Sequence, residues 1–186
     1  QVLLAEDHPV NQLITSRLLR NWGLQVTVAE NGRVALERLA EQPYDLVILD
    51  LRMPVLDGYR TAEAIRHDLP PARRSVPIIA MTAHGMREEE ERCLRLGMND
   101  YVIKPFDPAL LRAKLERLLL ADAPAASLEN SLTEPFVKGG QSYSLDFFYQ
   151  FFEGQPEALR EVLELALQEM GQDLERAAAA AAQGQW

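Results

Sequence analysis

Five polar side chains follow apolar runs that read as strands: Glu6 and Asp7 after Val2-Leu3-Leu4-Ala5, Asp50 after Leu46-Val47-Ile48-Leu49, Thr82 after Val76-Pro77-Ile78-Ile79-Ala80-Met81, and Lys104 after Tyr101-Val102-Ile103. As parallel strands, these runs bring three carboxylates, a hydroxyl and an ammonium to the carboxyl edge of one sheet, where open α/β folds bind ligands. Carboxylates packed together in low dielectric repel one another, so at least one binds a proton at neutral pH unless a cation intervenes. Mg²⁺ suits such a set because it takes oxygen ligands, usually one or two carboxylates completed by water and phosphate. Lys104 adds a point charge and Thr82 a hydroxyl donor, both suited to phosphoryl oxygens. A carboxylate nucleophile, a metal and a lysine together fit acyl-phosphate chemistry, in which the protein mainly positions groups and neutralises charge. A carboxylate after a strand often only caps the next helix. That explains any one of these positions better than it explains all five.

The elements that must carry these residues alternate. Helical spacing runs over Pro9 to Trp22, Asn31 to Glu41, Gly58 to His67, His84 to Leu96 and Asp107 to Leu120, and Leu24 to Ala29 reads as a further strand. Strand and helix thus alternate five times, which implies a parallel sheet covered on both faces by right-handed crossovers. Gly23, Asn31-Gly32 and Gly97 stand where a cap or chain reversal is required. Glu88 and Arg92, and Glu91 and Arg95, are spaced i, i+4, so the run Glu88 to Glu91 reads as a solvated helix face.

Composition narrows the class. The chain has 186 residues, 47% hydrophobic and 25% charged, enough for one full domain and a smaller unit. No apolar stretch approaches the roughly 20 residues that cross a bilayer, and no export signal opens the sequence. The lone Cys93 reads as a packing residue, and a reducing cytoplasm fits. The charge of -9 is uneven: residues 122 to 186 hold 3 Lys+Arg against 11 Asp+Glu. Such a tail is repelled by phosphates, which argues against a nucleic-acid-binding output domain.

Four segments, Ala5-Glu6-Asp7-His8-Pro9-Val10-Asn11-Gln12, Leu49 to Gly58, Met81-Thr82-Ala83 and Asn99 to Phe106, resemble the receiver domain of two-component signalling, in order and at family spacing. The resemblance covers residues 1 to about 121. It implies a doubly wound, flavodoxin-like α/β fold, a five-stranded parallel sheet of order 2-1-3-4-5 followed by a C-terminal helical segment. By the same resemblance Asp50 is the phosphoacceptor. Asp7, Asp50 and the Arg52 backbone carbonyl ligate Mg²⁺, and Glu6 acts through water. Lys104, Thr82 and the Ala83 N–H bind phosphoryl oxygens, and Thr82 with Tyr101 forms the conformational switch. Tyr101 has a second reading, as an edge-strand aromatic packed on the sheet. The family also implies a cis Lys104-Pro105 bond. By the resemblance, Arg52 and His84 lie at the rim positions that tune phosphoaspartate lifetime in this family, and His8 and His67 read as surface residues.

Residues 122–143 have the composition of a linker. Residues 144–186 read as an incomplete phosphotransfer-like helical segment, with Leu159, Leu163, Ala166, Met170, Leu174, Ala177 and Ala181 forming one apolar stripe. The only histidines are His8, His67 and His84, so this tail has no relay histidine. The whole then resembles a piece of a hybrid sensor histidine kinase, of the BvgS type, cut before its next histidine and lacking any kinase core. Implied partners are a histidine kinase core as phosphodonor and a histidine phosphotransfer domain as acceptor, which docks on the first helix through Val10, Leu13, Ile14 and Leu18. No nucleic-acid or direct membrane contact is expected, and the location is the cytoplasmic part of a membrane-bound kinase. The open stripe suits a homodimer through the tail. Three other readings compete, one of them a degenerate receiver that is not phosphorylated, against which all five active-site residue types are intact. A stand-alone response regulator would use the tail as a protein-interaction module. A phosphohydrolase of the haloacid dehalogenase type needs a second Asp two residues after the first, where this chain has Arg52.

Overall fold

The computed structural model describes residues 1–83, 87–120, 157, 160–165, 167, 168 and 171. His84, the linker expected over 122–143 and most of the segment 144–186 lie outside the described residues. Five strands, β1 (Val2–Ala5), β2 (Val26–Ala29), β3 (Leu46–Asp50), β4 (Ile78–Thr82) and β5 (Asp100–Ile103), form one parallel sheet in the order β2-β1-β3-β4-β5. The central runs Val2–Ala5, Leu46–Leu49 and Ile78–Met81 are fully buried. They carry no polar alternation because helices cover both faces.

The helices are α1 (Pro9–Asn21), α2 (Gly32–Glu41), α3 (Gly58–His67), a one-turn α4 (Pro71–Arg74), α5 (Arg87–Arg95) and α6 (Pro108–Leu119). Leu18 and Leu19 of α1 and Leu111 and Leu115 of α6 join Val2, Leu4, Ile48 and Ile79 in one core layer. Ala35 and Leu39 of α2, Ala62 and Ile65 of α3 and Cys93 of α5 join Leu3, Val47, Leu49 and Ile78 in the other. Each fully buried aliphatic side chain contributes roughly 1.5–3 kcal/mol. Cys93 is only 2% exposed, as a packing residue should be.

Three helix starts, those of α2, α3 and α6, carry side-chain caps, and the Asn31 start of α2 is the one the sequence reading marked. Asn31 accepts from the Val34 N–H at 3.0 Å, and Asp57 and Asp107 do the same for Arg60 and Ala109 at 2.8 Å each. Gly23 and Gly97 end α1 and α5 at φ +82° and +79°, in the left-handed region that favours glycine. The bond Lys104-Pro105 is cis.

Two differences from the sequence reading concern extent. β2 and β4 begin at Val26 and Ile78, each two residues later than the apolar runs suggest. The helical turn α4 has no counterpart in the sequence pattern. None of its residues is buried, so it carries no apolar periodicity to betray it. Arg66 on α3 ties this region together by donating to the carbonyls of Gly97 (2.9 and 2.7 Å), Arg74 (2.6 Å) and Val76 (2.9 Å) and to Asn99 Oδ1 (3.2 Å). In the carboxyl-terminal part, residues 160–165 are helical, Glu161 pairs with Arg17 of α1, and Val162 is fully buried. Among the described residues no helix is long and apolar enough to cross a membrane.

Candidate functional site

Strand register alone brings the polar residues together. Ala5 pairs with Leu49, so Glu6 lies level with Asp50; Asp50 pairs with Met81, so Thr82 stands one step further out. Thr82 pairs with Ile103, which puts Lys104 one residue beyond the edge, where its N–H donates to the Thr82 carbonyl at 2.6 Å. The edge residues of β1, β3, β4 and β5 therefore face one crevice.

Glu6, Asp7 and Asp50 form the cluster at its floor, each offering a carboxylate oxygen within 4.8 Å of the others. Glu6 is completely buried and Asp50 7% exposed, whereas Asp7 is partly open. Lys104, itself 8% exposed, donates to Asp50 Oδ2 at 2.7 Å and also to Glu6 Oε2. Glu6 Oε1 accepts from Asn11 Nδ2 at 3.0 Å and from the His8 N–H at 3.4 Å, and its carbonyl accepts from Gln12 Nε2 at 2.6 Å. Burial pushes the Glu6 carboxyl above its ordinary range; Lys104 opposes that rise and Asp50 adds to it. The other Asp50 oxygen accepts from the Arg52 N–H at 3.1 Å.

Three carboxylates around one ammonium leave negative charge uncompensated. The donors are all oxygen, with no His or Cys among them, which is the chemistry of a hard divalent cation such as Mg²⁺. Close packing of α3 against β3 holds the nucleophile candidate in place. A Cβ on Gly58 would stand 2.2 Å from the Asp50 carbonyl oxygen and 2.8 Å from Leu51 Cα, so no side chain fits there. The same is true of Gly32, whose Cβ would meet Thr61 Oγ1 at 1.9 Å.

The remaining expected residues line the crevice on the α5 side. Thr82 is 3% exposed and its hydroxyl donates to Glu89 Oε2 at 2.7 Å. Tyr101 is half-buried on the edge strand β5, donating its hydroxyl to Glu90 Oε2 at 3.0 Å with the Lys114 ammonium 5.4 Å from its ring centre. Ala83 is exposed at the end of β4, and His8 and His67 are exposed.

One sequence expectation needs correction. The run Glu88 to Glu91 is a solvated face only in part: Glu91 pairs with Arg87 (3.5 Å) and Arg95 (3.7 Å) on the surface. Glu89 and Glu90 turn toward the sheet edge. Glu89 accepts from Thr82 and, at 2.8 Å, from the Tyr59 hydroxyl of α3; Arg92 stacks 3.7 Å over the Tyr59 ring. These are the residues that spacing alone missed. Glu89 on α5 follows Thr82 at the end of β4 by seven positions, so neither a strand nor a helix period relates the two.

Known proteins resemble this chain in sequence and fold. The response regulator receiver domain family matches residues 2–116. The signal transduction histidine-protein kinase BarA of Shigella flexneri is 35% identical over 136 residues, 73% of this chain and 14% of that protein. The sensor histidine kinase GacS of Pseudomonas protegens is 40% identical over 111 residues, 56% of this chain and 12% of GacS. The chain thus spans about one seventh of the length of such relatives. Among solved structures, the receiver domain of sensor histidine kinase PA1611 from Pseudomonas aeruginosa, with magnesium coordinated in its active-site cleft, superposes at TM-score 0.59. It is 43% identical, and the match covers 63% of this chain and 95% of that one. The receiver domain of Ssk1, crystallised with the histidine phosphotransfer protein Ypd1 of Saccharomyces cerevisiae, is 28% identical at TM-score 0.59, over 69% of this chain and 93% of that one. With its strand order, its acidic edge and its matched residues in agreement, the chain belongs to the response regulator receiver domain family and is similar to the receivers of hybrid sensor histidine kinases.

Proposed function

We propose that this receiver is the aspartyl step of a His-Asp phosphorelay, accepting a phosphoryl group from a phosphohistidine and handing it to a phosphotransfer domain. The observation that carries the reading is the Lys104 ammonium 2.7 Å from Asp50 inside a three-carboxylate cluster at the sheet edge. Asp50 Oδ attacks phosphorus; the new O–P bond forms as the N–P bond to the imidazole breaks, and the imidazole leaves with the bond pair. Asp7, Asp50 and the Arg52 carbonyl would hold Mg²⁺, with Glu6 acting through water. When bound there, the ion would supply charge neutralisation to the transferring oxygens. Lys104 moves from the carboxylates to a phosphoryl oxygen, and Thr82 with the Ala83 N–H takes the others. Thr82 and Tyr101 then report the change to α5 and β5.

The parent protein, on this reading, is a membrane-bound hybrid sensor kinase with this domain on its cytoplasmic side; the relatives BarA and GacS are themselves histidine kinases by name. Of the α1 residues expected to receive the phosphotransfer helices, Val10, Ile14 and Leu18 are buried within the chain and Leu13 is partly exposed, so they form no open docking face. Residues 144–186 are the start of a phosphotransfer domain, joined by the linker 122–143. The test is to mix the chain, with Mg²⁺, with a phosphorylated phosphotransfer domain and, separately, with a phosphorylated kinase core. The phosphoryl group should move to the wild-type chain and not to Asp50→Asn. Retention on histidine in both mixtures would refute the relay assignment.

A further inference from the structure

The hydroxyls of Thr82 and Tyr101 stand on different strands, yet both donate to consecutive carboxylates of one helix, Glu89 and Glu90 of α5. Glu89 is engaged at both oxygens, by Thr82 at 2.7 Å and by Tyr59 at 2.8 Å. Both glutamates are half-buried, where a charge-assisted bond is roughly twice as strong as a neutral one. The phenols remain donors. Burial, followed by the Glu89 bond, pushes Tyr59 up to about 12, and burial with the Glu90 bond raises Tyr101. A threonine hydroxyl has a single proton to give. While Glu89 takes it, that proton is withheld from an acceptor on Asp50, whose strand neighbours β4.

We propose that Glu89 is a positioning residue that latches the Thr82 hydroxyl onto α5 until an acyl phosphate on Asp50 displaces it, while Glu90 holds Tyr101 on the same helix. This rests on the phosphoacceptor reading of Asp50 and adds the group that opposes it. Phosphorylation must break the Thr82 to Glu89 bond, so it frees one of the ties between α5 and the sheet. By linkage, a protein that draws α5 away favours the phosphorylated state to the same degree. Tyr59 and the Arg92 stacked on it keep the Glu89 carboxylate in place through its second oxygen.

The test uses beryllofluoride with Mg²⁺, a mimic of the aspartyl phosphate, titrated into the chain and followed by amide NMR. Glu89→Ala should tighten beryllofluoride binding about fivefold or more, since it removes the competing charge-assisted acceptor. Glu89→Gln, which keeps the shape and a neutral acceptor, should give a smaller gain and serves if the alanine variant fails to fold. In a Thr82→Val background neither substitution should tighten binding, because no latched proton remains. A wild type that binds while both Glu89 variants bind no tighter overturns the latch alone; so does a gain that persists with Thr82→Val. A wild type that does not bind at all removes the phosphoacceptor reading, and the latch with it.

Discussion

The Lys104 ammonium lies 2.7 Å from Asp50 Oδ2, joining the end of β5 to the end of β3 across the intervening strand β4. The same ammonium reaches the fully buried Glu6, so one cation serves two carboxylates from strands β1 and β3. Truncation to Lys104→Met leaves both uncompensated, and breaking a buried pair in this way costs about 3 kcal/mol or more. The expected outcome is a lower urea midpoint in EDTA that recovers in part with saturating Mg²⁺. A midpoint insensitive to Mg²⁺ in this variant would contradict a divalent site at the cluster.

Gly58 sets the distance between α3 and the phosphoacceptor strand. A methyl group there would press on the Asp50 carbonyl oxygen and the Leu51 backbone, neither of which can swing aside. Gly58→Ala should therefore destabilise the domain by about 1–3 kcal/mol and lower the rate of Asp50 phosphorylation from a small donor. Equilibrium unfolding and the phosphorylation time course measure the two effects separately.

Arg66 replaces missing secondary structure between α3, α4 and the approach to β5, with hydrogen bonds to three carbonyl oxygens and Asn99. Arg66→Ala should lower stability by about 2 kcal/mol, because several acceptors lose a charged donor at once. Arg66→Lys should rescue little of it, since a point-like ammonium cannot span what the planar fork does. Full rescue by lysine, read from urea midpoints, would show that charge alone matters.

Much of the fold and of the site is legible in the sequence. The runs ending at Asp50 and Thr82 announce buried parallel strands because they lack alternation; Gly23 and Gly97 mark helix ends through a left-handed backbone that few other residues adopt, and Asn31 marks a helix start through its capping side chain. The candidate site is legible for a related reason: each of its residues is fixed by strand register. What fails is whatever depends on side-chain reach across loops. Arg66 looks like any charged residue late in a helix, and its partners come from three other places in the chain. Glu89 and Glu90 have the spacing of a solvated face, and only the approach of α5 to Thr82, Tyr59 and Tyr101 separates them from Glu88 and Glu91.

Cys93 gives a pH dependence. Burial is the main cause that raises its thiol from 9.0 to about 11, with Glu89 adding to the rise. The folded state therefore keeps a proton that the unfolded chain releases, so stability is fully present below about pH 9 and declines as pH rises toward 11. Tyr59, raised from 10.0 to about 12, extends the same trend upward. Urea midpoints should fall across this alkaline range, less steeply in Cys93→Ala, and iodoacetamide should label native Cys93 only slowly at pH 8. Fast labelling of the folded chain at that pH would contradict its burial.

The identity of the phosphoacceptor is tested most directly by intact mass after incubation with Mg²⁺ and acetyl phosphate or phosphoramidate. A phosphoacceptor at Asp50 gives a gain of one phosphoryl group, released by hydroxylamine as an acyl phosphate should be, and absent both in EDTA and in Asp50→Asn. No gain in the wild type, or a gain that survives Asp50→Asn, would contradict it.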